Sequence, residues 1–335
     1  MTVTIHDVAK QAGVSAITVS RVINQNGYVS RETERRVREA ISELNYIPNN
    51  LAKGLKSRKT STIALLVTDI TNAFWTTVAR GAEDEAEASG LSVLLCNTDE
   101  DPQKENRYIT TLLKQQVDGI LIGPTADSAA HLERLHELGV QYVLIDRAVE
   151  GIQADVVRSD SQAGAYQMTQ HLLATGYQKI AFIGGPLAIS TGRDRLLGYQ
   201  QALKEKGIEM NPAYIKEGLF KASSGYALTK ELLCENDRPQ AIFTGNHLIA
   251  TGVMQALHEM SLCVPDDIAV CSFDDIPGVN SFSPFLTAVI QPAYEIGKIG
   301  VQLLLKRLSG ERTEVEEFVL PVNLLIRSSC GCNRK

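Results

Sequence analysis

No apolar run in these 335 residues approaches the roughly 18 that a membrane span requires. The N-terminus lacks a signal-peptide pattern, so a cytoplasmic protein with no membrane contact is expected. Neither G-x-G-x-x-G nor G-x-x-x-x-G-K-[ST] occurs, which removes the common dinucleotide and phosphate cradles, and no cofactor is expected. Cysteine is sparse. Six thiols (Cys96, Cys234, Cys263, Cys271, Cys330 and Cys332) in a chain of this size fit reduced residues better than a disulfide framework. Cys330 and Cys332 stand close enough to bind a metal or to oxidise, yet no second Cys/His pair lies at ligand spacing, so no metal site is expected. What remains is an ordinary globular composition, 44% hydrophobic, long enough for two or three domains with a sizeable core.

The overall charge of -6 argues against a nucleic-acid partner, but its distribution argues for one. Residues 1–60 carry ten basic and five acidic side chains, and the remainder 23 and 34, so a head of +5 precedes a body of -11. A basic head on an acidic body is a localised footprint for phosphates.

Within that head, Thr4 to Asn24 (TIHDVAKQAGVSAITVSRVIN) reads as two short helices joined at Gly13. Ile5, Val8, Ala9 and Ala12 recur at i, i+3, i+4 and i+7, one apolar helical face. Thr4 with Asp7 has the spacing of a capping box, and Gly13 suits the left-handed turn that ends a helix. Ser15 stands where a second N-cap belongs, before an inner face of Val19, Val22 and Ile23. The outer face holds Ile17, Ser20, Arg21 and Asn24. A third helix runs from a cap at Ser30 to about Asn45, with Val37, Ala40, Ile41 and Leu44 facing inward. Such a helix–turn–helix can read a DNA major groove with its second helix, or can be a helical hairpin packed on another element. The pattern alone leaves both open.

From Ser61 onward the chain alternates short apolar runs (63–67, 91–96, 119–123, 141–146, 179–185, 241–245, 268–275) with helical segments (75–89, 103–116, 128–138, 162–175, 193–206, 224–234, 247–260). Near-continuous apolar strands between helices imply parallel sheets covered on both faces. About 270 residues exceed one open sheet of this kind, so two α/β lobes are expected.

The head, with VSRETERRVREAISELNYIPN behind its first two helices, is similar to the DNA-binding head of the lac-repressor family of bacterial transcription regulators. Matches to the family's pattern recur to residue 329. The resemblance implies an N-terminal all-α helix-turn-helix head and an α/β two-lobed, periplasmic-binding-protein-like core with parallel sheets. The expected boundaries are 1–46 for the head, 47–60 for a hinge helix or linker, 61–158 with 291–319 for one lobe, and 159–290 with 320–335 for the other. It further implies a homodimer on a pseudo-palindromic double-stranded DNA operator. The tail from Arg327 carries no heptad repeat that would join dimers. DNA contacts are expected from Thr4, Ser15, Ala16, Ile17, Thr18, Ser20, Arg21 and Asn24, and from Asn49, Ala52, Leu55 and Lys56 of the hinge. There the family wedges a leucine into the minor groove, and Leu55 holds that place.

Ligands of open α/β sheets bind beyond the carboxyl ends of the strands. After the first run, Asp69-Ile-Thr-Asn72-Ala73-Phe74-Trp75 resembles the family's Asn-Pro-Phe-aromatic loop, with Ala73 in place of proline. Phe74 or Trp75 offers a flat face to a sugar ring or a base, or packs in the core. Asp146-Arg147 matches an acidic-basic pair at the family's cleft, and Arg195 the arginine that reaches the effector. Its planar fork can bond two vicinal hydroxyls at once. Asn246-His247 departs from the usual Asn-Asp, and His247 is either a pH-sensitive group or a satisfied structural histidine. Asp274 is a hydroxyl acceptor in the family's pattern, and Asp274 with Asp275 is the one pairing that could suggest acid–base hydrolysis. No nucleophile pattern accompanies it, and no catalytic residue is assigned. With Phe220 and Gln291 the expected effector set is Asn72, Phe74, Trp75, Asp146, Arg147, Arg195, Phe220, Asn246, Asp274 and Gln291. It suits a carbohydrate, neutral or acidic. A purine or protein co-effector is the alternative, and a solute-binding protein a more remote one.

Arg21 is expected to bond a guanine through O6 and N7, while Ala16 and Ile17 meet thymine methyls. Arg21→Ala should weaken binding to the preferred operator by about 1–3 kcal/mol and flatten preference at one base pair in a competition binding assay. Unchanged preference would remove the assignment.

Overall fold

The computed structural model describes residues 3–24, 26–46, 60–234, 237–275, 285–311 and 314–332. Two compact units divide the chain, Met1–Thr60 and Ser61–Lys335. The expected hinge, with Asn49, Ala52, Leu55 and Lys56, lies outside the described residues.

In the first unit, α1 (Ile5–Ala12), α2 (Ala16–Asn24) and α3 (Arg31–Glu43) close on Val8, Ala9, Ala12, Val19, Val22, Val37 and Ala40. The Asp7 carboxylate accepts from the Thr4 amide (2.8 Å) and hydroxyl (2.7 Å). Gly13 adopts φ 64°, the left-handed conformation that stops α1. Ser15 Oγ accepts from the Thr18 amide at 3.2 Å, capping α2. Arg36 Nη2 donates to the Ala12 carbonyl, tying α3 to the end of α1. The third helix ends two residues earlier than its periodicity predicts, because Asn45 turns left-handed at φ 48°.

The second unit holds two six-stranded sheets of the same order. In the first sheet, β1 (Thr62–Val67), β2 (Ser92–Asn97), β3 (Gly119–Ile122), β4 (Tyr142–Ile145), β5 (Asp155–Ser159) and β11 (Glu317–Leu320) lie in the order β11-β5-β4-β3-β1-β2. The second contains β6 (Ile180–Gly184), β7 (Ile215–Glu217), β8 (Ala241–Thr244), β9 (Ala269–Phe273), β10 (Thr287–Ile290) and β12 (Asn323–Leu325). Its order is β12-β10-β9-β8-β6-β7. All pairings are parallel except β12 on β10, which is antiparallel. Helices α4 (Ala73–Ala88) and α11 (Ala293–Leu308) share one core with the first sheet, and α5 (Pro102–Gln115) and α6 (Ala129–Glu137) cover its other face. Helices α7 (Ser161–Thr175) and α8 (Ser190–Glu205) cover one face of the second sheet, and α9 (Ala222–Cys234) with α10 (His247–Glu259) the other.

Both faces of each sheet are therefore buried, as continuous apolar strands demand. Edge strands are the exceptions: Leu94 and Leu95 of β2, Val319 of β11 and Leu325 of β12 are exposed because each lies at a sheet edge. Strands β5, β7, β10, β11 and β12 and helix α11 stand outside the apolar and helical runs of the sequence. The strands among them are only three to five residues long, and β11 alternates between exposed and half-buried positions.

Helices on the same face meet through glycine. A Cβ at Gly252 of α10 would overlap the Ala222 carbonyl of α9, and one at Gly225 would overlap that of Ile249. Gly81 and Gly297 play the same part between α4 and α11. Gly252→Val should cost at least 1–3 kcal/mol of overpacking, read as a lower urea midpoint at unchanged slope. An unchanged midpoint would show that these helices can part freely.

Candidate ligand cleft and nucleic-acid interface

The head presents α2 with its apolar face inward and Ile17, Arg21 and Asn24 exposed, Ile17 at 68%. Ser15 and Thr18 share a hydroxyl hydrogen bond (2.9 Å), and Asn24 Nδ2 donates to the Ser20 carbonyl (2.8 Å) and hydroxyl (3.2 Å). The exposed polar groups are thus held in fixed rotamers along the helix. Of the head's other cations, Arg35 and Arg38 form i,i+4 pairs with Glu39 and Glu34 at 2.8 and 2.7 Å. Those two belong to a solvated helix face and contribute little. Tyr28 is 91% exposed just beyond α2 and was not singled out from sequence, because a lone aromatic in a turn carries no periodic signal.

In the body, the strands of both sheets end at one cavity of about 590 Å³. All ten residues expected around an effector line it. Asn72 caps α4, its Oδ1 accepting from the Phe74 amide at 2.9 Å, which starts that helix two residues before its periodicity predicts. Phe74 and Trp75 are both buried, edge-to-face at 5.1 Å, and both border the cavity, so they serve core and cleft together. Gly123 makes room for the Trp75 ring and Gly185 for that of Phe220, since a Cβ at either would overlap it.

Asp146 and Asp274 occupy equivalent places in the two sheets, just past β4 and β9. Each amide donates at 2.8 Å to the neighbouring strand, Asp146 to Val157 and Asp274 to Val289. Both residues are left-handed, at φ 69° and 63°. Such strain, of order 1–3 kcal/mol for a non-glycine residue, persists only where the surroundings over-determine it. Arg147 is locked from the protein side. Its Nε donates to Asp146 (3.0 Å), Nη1 and Nη2 to Glu100 (2.9 and 2.7 Å), and Nη1 also to the Pro124 carbonyl (3.1 Å).

Arg195 differs. Its Nη1 donates to the Gly245 carbonyl at 2.5 Å, and its guanidinium lies 3.8 Å from the Phe273 ring centroid. Its Nε has no partner among the described residues. Gln291 donates to Asp274 at 2.7 Å, and its Oε1 is likewise unpartnered among the described residues. Asn246 Oδ1 caps α10 by accepting from the Ile249 amide at 2.9 Å. Asp275 does not join Asp274 at the cavity wall and accepts from Arg327 at 2.8 Å. Sequence reasoning missed Asp69, Thr71, Glu100, Thr191 and Lys221. Glu100 follows β2, where the strand-end rule would have found it, whereas Lys221 follows a three-residue strand with no recognisable pattern.

Burial raises the Asp146 carboxyl, against the pull of Arg147 and Arg195. Burial lowers the Arg195 guanidinium, against Asp274 and Asp146. For Arg147 desolvation acts downward too, but Glu100 and Asp146 prevail and raise it. His247, buried at the start of α10, has Nδ1 unpartnered among the described residues. Burial pulls its imidazole below the ordinary 6.5, against Asp274, Asp275 and Asp69. Between the lowered folded value and the ordinary one, the unfolded chain binds more protons, so stability falls as pH drops through that window. Lowering the pH from about 7.5 to about 5.5 should depress Tm less in His247→Asn than in the parent protein. Parallel Tm profiles would exclude His247 as a source of acid sensitivity.

Over residues 4–49 the chain matches the family of bacterial regulatory proteins, lacI family. Over residues 60–328 it matches the periplasmic binding proteins and sugar binding domain of LacI family. It is 38% identical over 327 residues to the ribose operon repressor of Escherichia coli strain K12, covering 97% of this chain and 99% of that one. The crystal structure of the lac repressor dimer bound to operator and an anti-inducer is similar with a TM-score of 0.86 at 30% identity, covering 98% and 99%. A LacI family transcriptional regulator from Enterococcus faecium with bound ribose is similar with a TM-score of 0.71 at 31% identity, covering 80% of this chain and 98% of that one. With its helix-turn-helix head and two-lobed body, the chain belongs to the LacI family of bacterial DNA-binding transcription regulators.

Proposed function

We propose that this regulator is a repressor whose operator affinity is set by a small, neutral, polyhydroxylated ligand held between the two lobes. The observation that carries the ligand class is the pair of buried, unpartnered polar atoms in the cleft, Arg195 Nε and Gln291 Oε1. Leaving a buried donor and a buried acceptor unmatched costs about 1–3 kcal/mol each. A hydroxyl accepts and donates at once, so a polyol answers both needs. Asp274 and Asp146 add acceptors for further hydroxyls, and Trp75, Phe74 and Phe220 supply apolar faces for the C–H side of a ring.

Charge supports a neutral ligand over an acidic sugar. Five carboxylates line the cavity against three cations, Arg147, Arg195 and Lys221, and Arg147 is already forked onto Glu100. The ribose named for two similar proteins makes a pentose the first candidate. HTH-type transcriptional repressors PurR are similar too, at 36% and 34% identity.

In this reading the body divides into lobes of residues 61–158 with 291–319 and 159–290 with 320–335. Leu94 and Leu95 on the edge strand β2 are half-exposed apolar surface that a second copy of the chain would cover in a dimer. The protein works in the cytoplasm, where its DNA is, and has no catalytic residue. No helix among the described residues is long and apolar enough to cross a membrane, and Asp275 accepts from Arg327.

Trp75 is the single tryptophan, buried at the cavity wall. Titration with pentoses, hexoses, polyols, sugar acids and purines should give a saturable fluorescence change and a shift in operator affinity with a neutral sugar. Arg195→Lys should weaken that response at least about tenfold, because a point charge cannot replace the fork. A response to sugar acids or purines with neutral sugars silent would overturn the assignment.

A further inference from the structure

Far along the chain from the cleft-lining loops, the tail folds back on the second sheet. After β12, a turn of 3-10 helix (Ser328–Cys330) carries Cys330 into the core beside β9 and β10. The placement is fixed by Ser329, whose hydroxyl donates to the Val270 carbonyl (2.6 Å) and accepts from the Thr287 amide (2.8 Å). Arg327 adds its bond to Asp275, and the Tyr177 hydroxyl donates to the Cys330 carbonyl at 3.0 Å. Gly331 then turns left-handed at φ 71°, where a Cβ would stand 2.8 Å from the Tyr177 hydroxyl. That turn brings Cys332 Sγ to 3.2 Å from Cys330 Sγ.

A third donor waits there. His171 of α7, 159 residues earlier, places Nε2 at 3.2 Å from Cys330 Sγ. The three donor atoms lie within 4.8 Å of one another, with Cys330 buried and the other two part-exposed. We propose that His171, Cys330 and Cys332 bind a thiophilic d10 cation, Zn²⁺ being the one to test. Two thiolates and an imidazole are the soft and borderline donors such an ion selects, and three protein ligands leave one position open. At Zn–S distances of about 2.3 Å the sulfurs of a tetrahedral site stand about 3.8 Å apart, so they need part by roughly half an ångström. His171 Nε2 faces the sulfurs, so the neutral tautomer protonated at Nδ1 presents a lone pair. Both thiols now point at the Arg327 carbonyl, at 3.2 and 3.9 Å. On binding, both thiol protons pass to solvent, and a dication with two thiolates and a neutral imidazole makes an uncharged centre. No spacing rule reveals this site, because its histidine and its Cys-x-Cys pair meet only in the fold.

The bound ion would tie α7 to the segment that follows the last passage of the chain from the first sheet to the second, between β11 and β12. The tail's own hydrogen bonds hold it in place without metal, so the ligand variants should fold.

The test uses the full chain, free of a histidine tag, reduced and stripped with a chelator. Titration with Co²⁺ should give one equivalent per chain, with a near-ultraviolet thiolate-to-cobalt band and tetrahedral absorption in the visible, both erased by one equivalent of Zn²⁺. Cys330→Ser and Cys332→Ser should each abolish the band. His171→Gln should weaken Co²⁺ binding at least about tenfold and alter the visible spectrum while keeping the sulfur band. Cys234→Ser and Cys263→Ser, at exposed thiols elsewhere, should change nothing. Uptake below a tenth of an equivalent, a band that survives both tail variants, or an unaltered His171→Gln spectrum would each overturn the proposal. So would a Cys330–Cys332 disulfide as the state of protein kept under strictly anaerobic conditions. Should a cysteine variant fail to fold, His171→Gln reads the same site through a part-exposed side chain.

Discussion

The cleft is built around keeping the Arg195 guanidinium charged where almost no water reaches it. The group is 4% exposed and, among the described residues, has no carboxylate in ion-pair contact. Burying an unpaired charge is normally prohibitive. Here the cost is spread over several weaker partners: the Phe273 ring, the Gly245 carbonyl, and the fields of Asp274 and Asp146. Low dielectric lets those two carboxylates act at a distance. A direct ion pair would have quenched the cation and blocked its Nε. Withholding that pair keeps the donor available, while Arg147 beside it takes Glu100 for its own and shares the field of Asp146.

The same constraint explains the near-symmetry of the two sheets. A left-handed aspartate past the fourth strand of each sheet in chain order aims a carboxylate at the cavity from each side, and neither sheet alone encloses the site. Each sheet has apolar clusters on both its faces, so each lobe can move as a body without exposing its core. The chain passes between them three times, and two of the passages are joined by the bond from the Asp160 amide to the Leu320 carbonyl at 2.9 Å. Arg158 at the first passage reaches Asp194 across the lobes at 3.4 Å, and the Ala148 amide donates to Ser190 at 3.2 Å. These are few and polar, which is what a hinge between packed bodies can break and remake.

Much of this was legible in the sequence because it is periodic. Apolar runs of five to eight residues marked the central strands, and i, i+3, i+4 spacing marked the head. The rule that ligands gather at strand ends, together with the resemblance to the lac-repressor family, led to Asp146, Asn246 and Asp274 without coordinates. What stayed hidden was long-range or aperiodic. Glu100 matters only because Arg147 lies opposite it. Nothing in the local sequence of Asp275 says that it belongs to Arg327. The exposure of Leu94 and Leu95 depends on β2 being an edge, a property of sheet order. Helix boundaries moved where caps outranked hydrophobic spacing, as Asn72 did for α4.

The division of charge between head and body then has a physical role. Phosphate attraction from the basic head gives affinity that falls with salt and is largely indifferent to sequence, while discrimination needs contacts to base edges. Neither property contains a response to a ligand. A ligand can shift an equilibrium only by its difference in affinity for the two states. A site on one lobe would bind equally well whatever the lobes' relative orientation, and would regulate nothing. The cavity here takes Asn72, Trp75 and Asp146 from one lobe and Arg195, Asn246 and Asp274 from the other. A ligand touching both sets feels the relative orientation of the lobes, and that dependence is what turns binding into a difference between states.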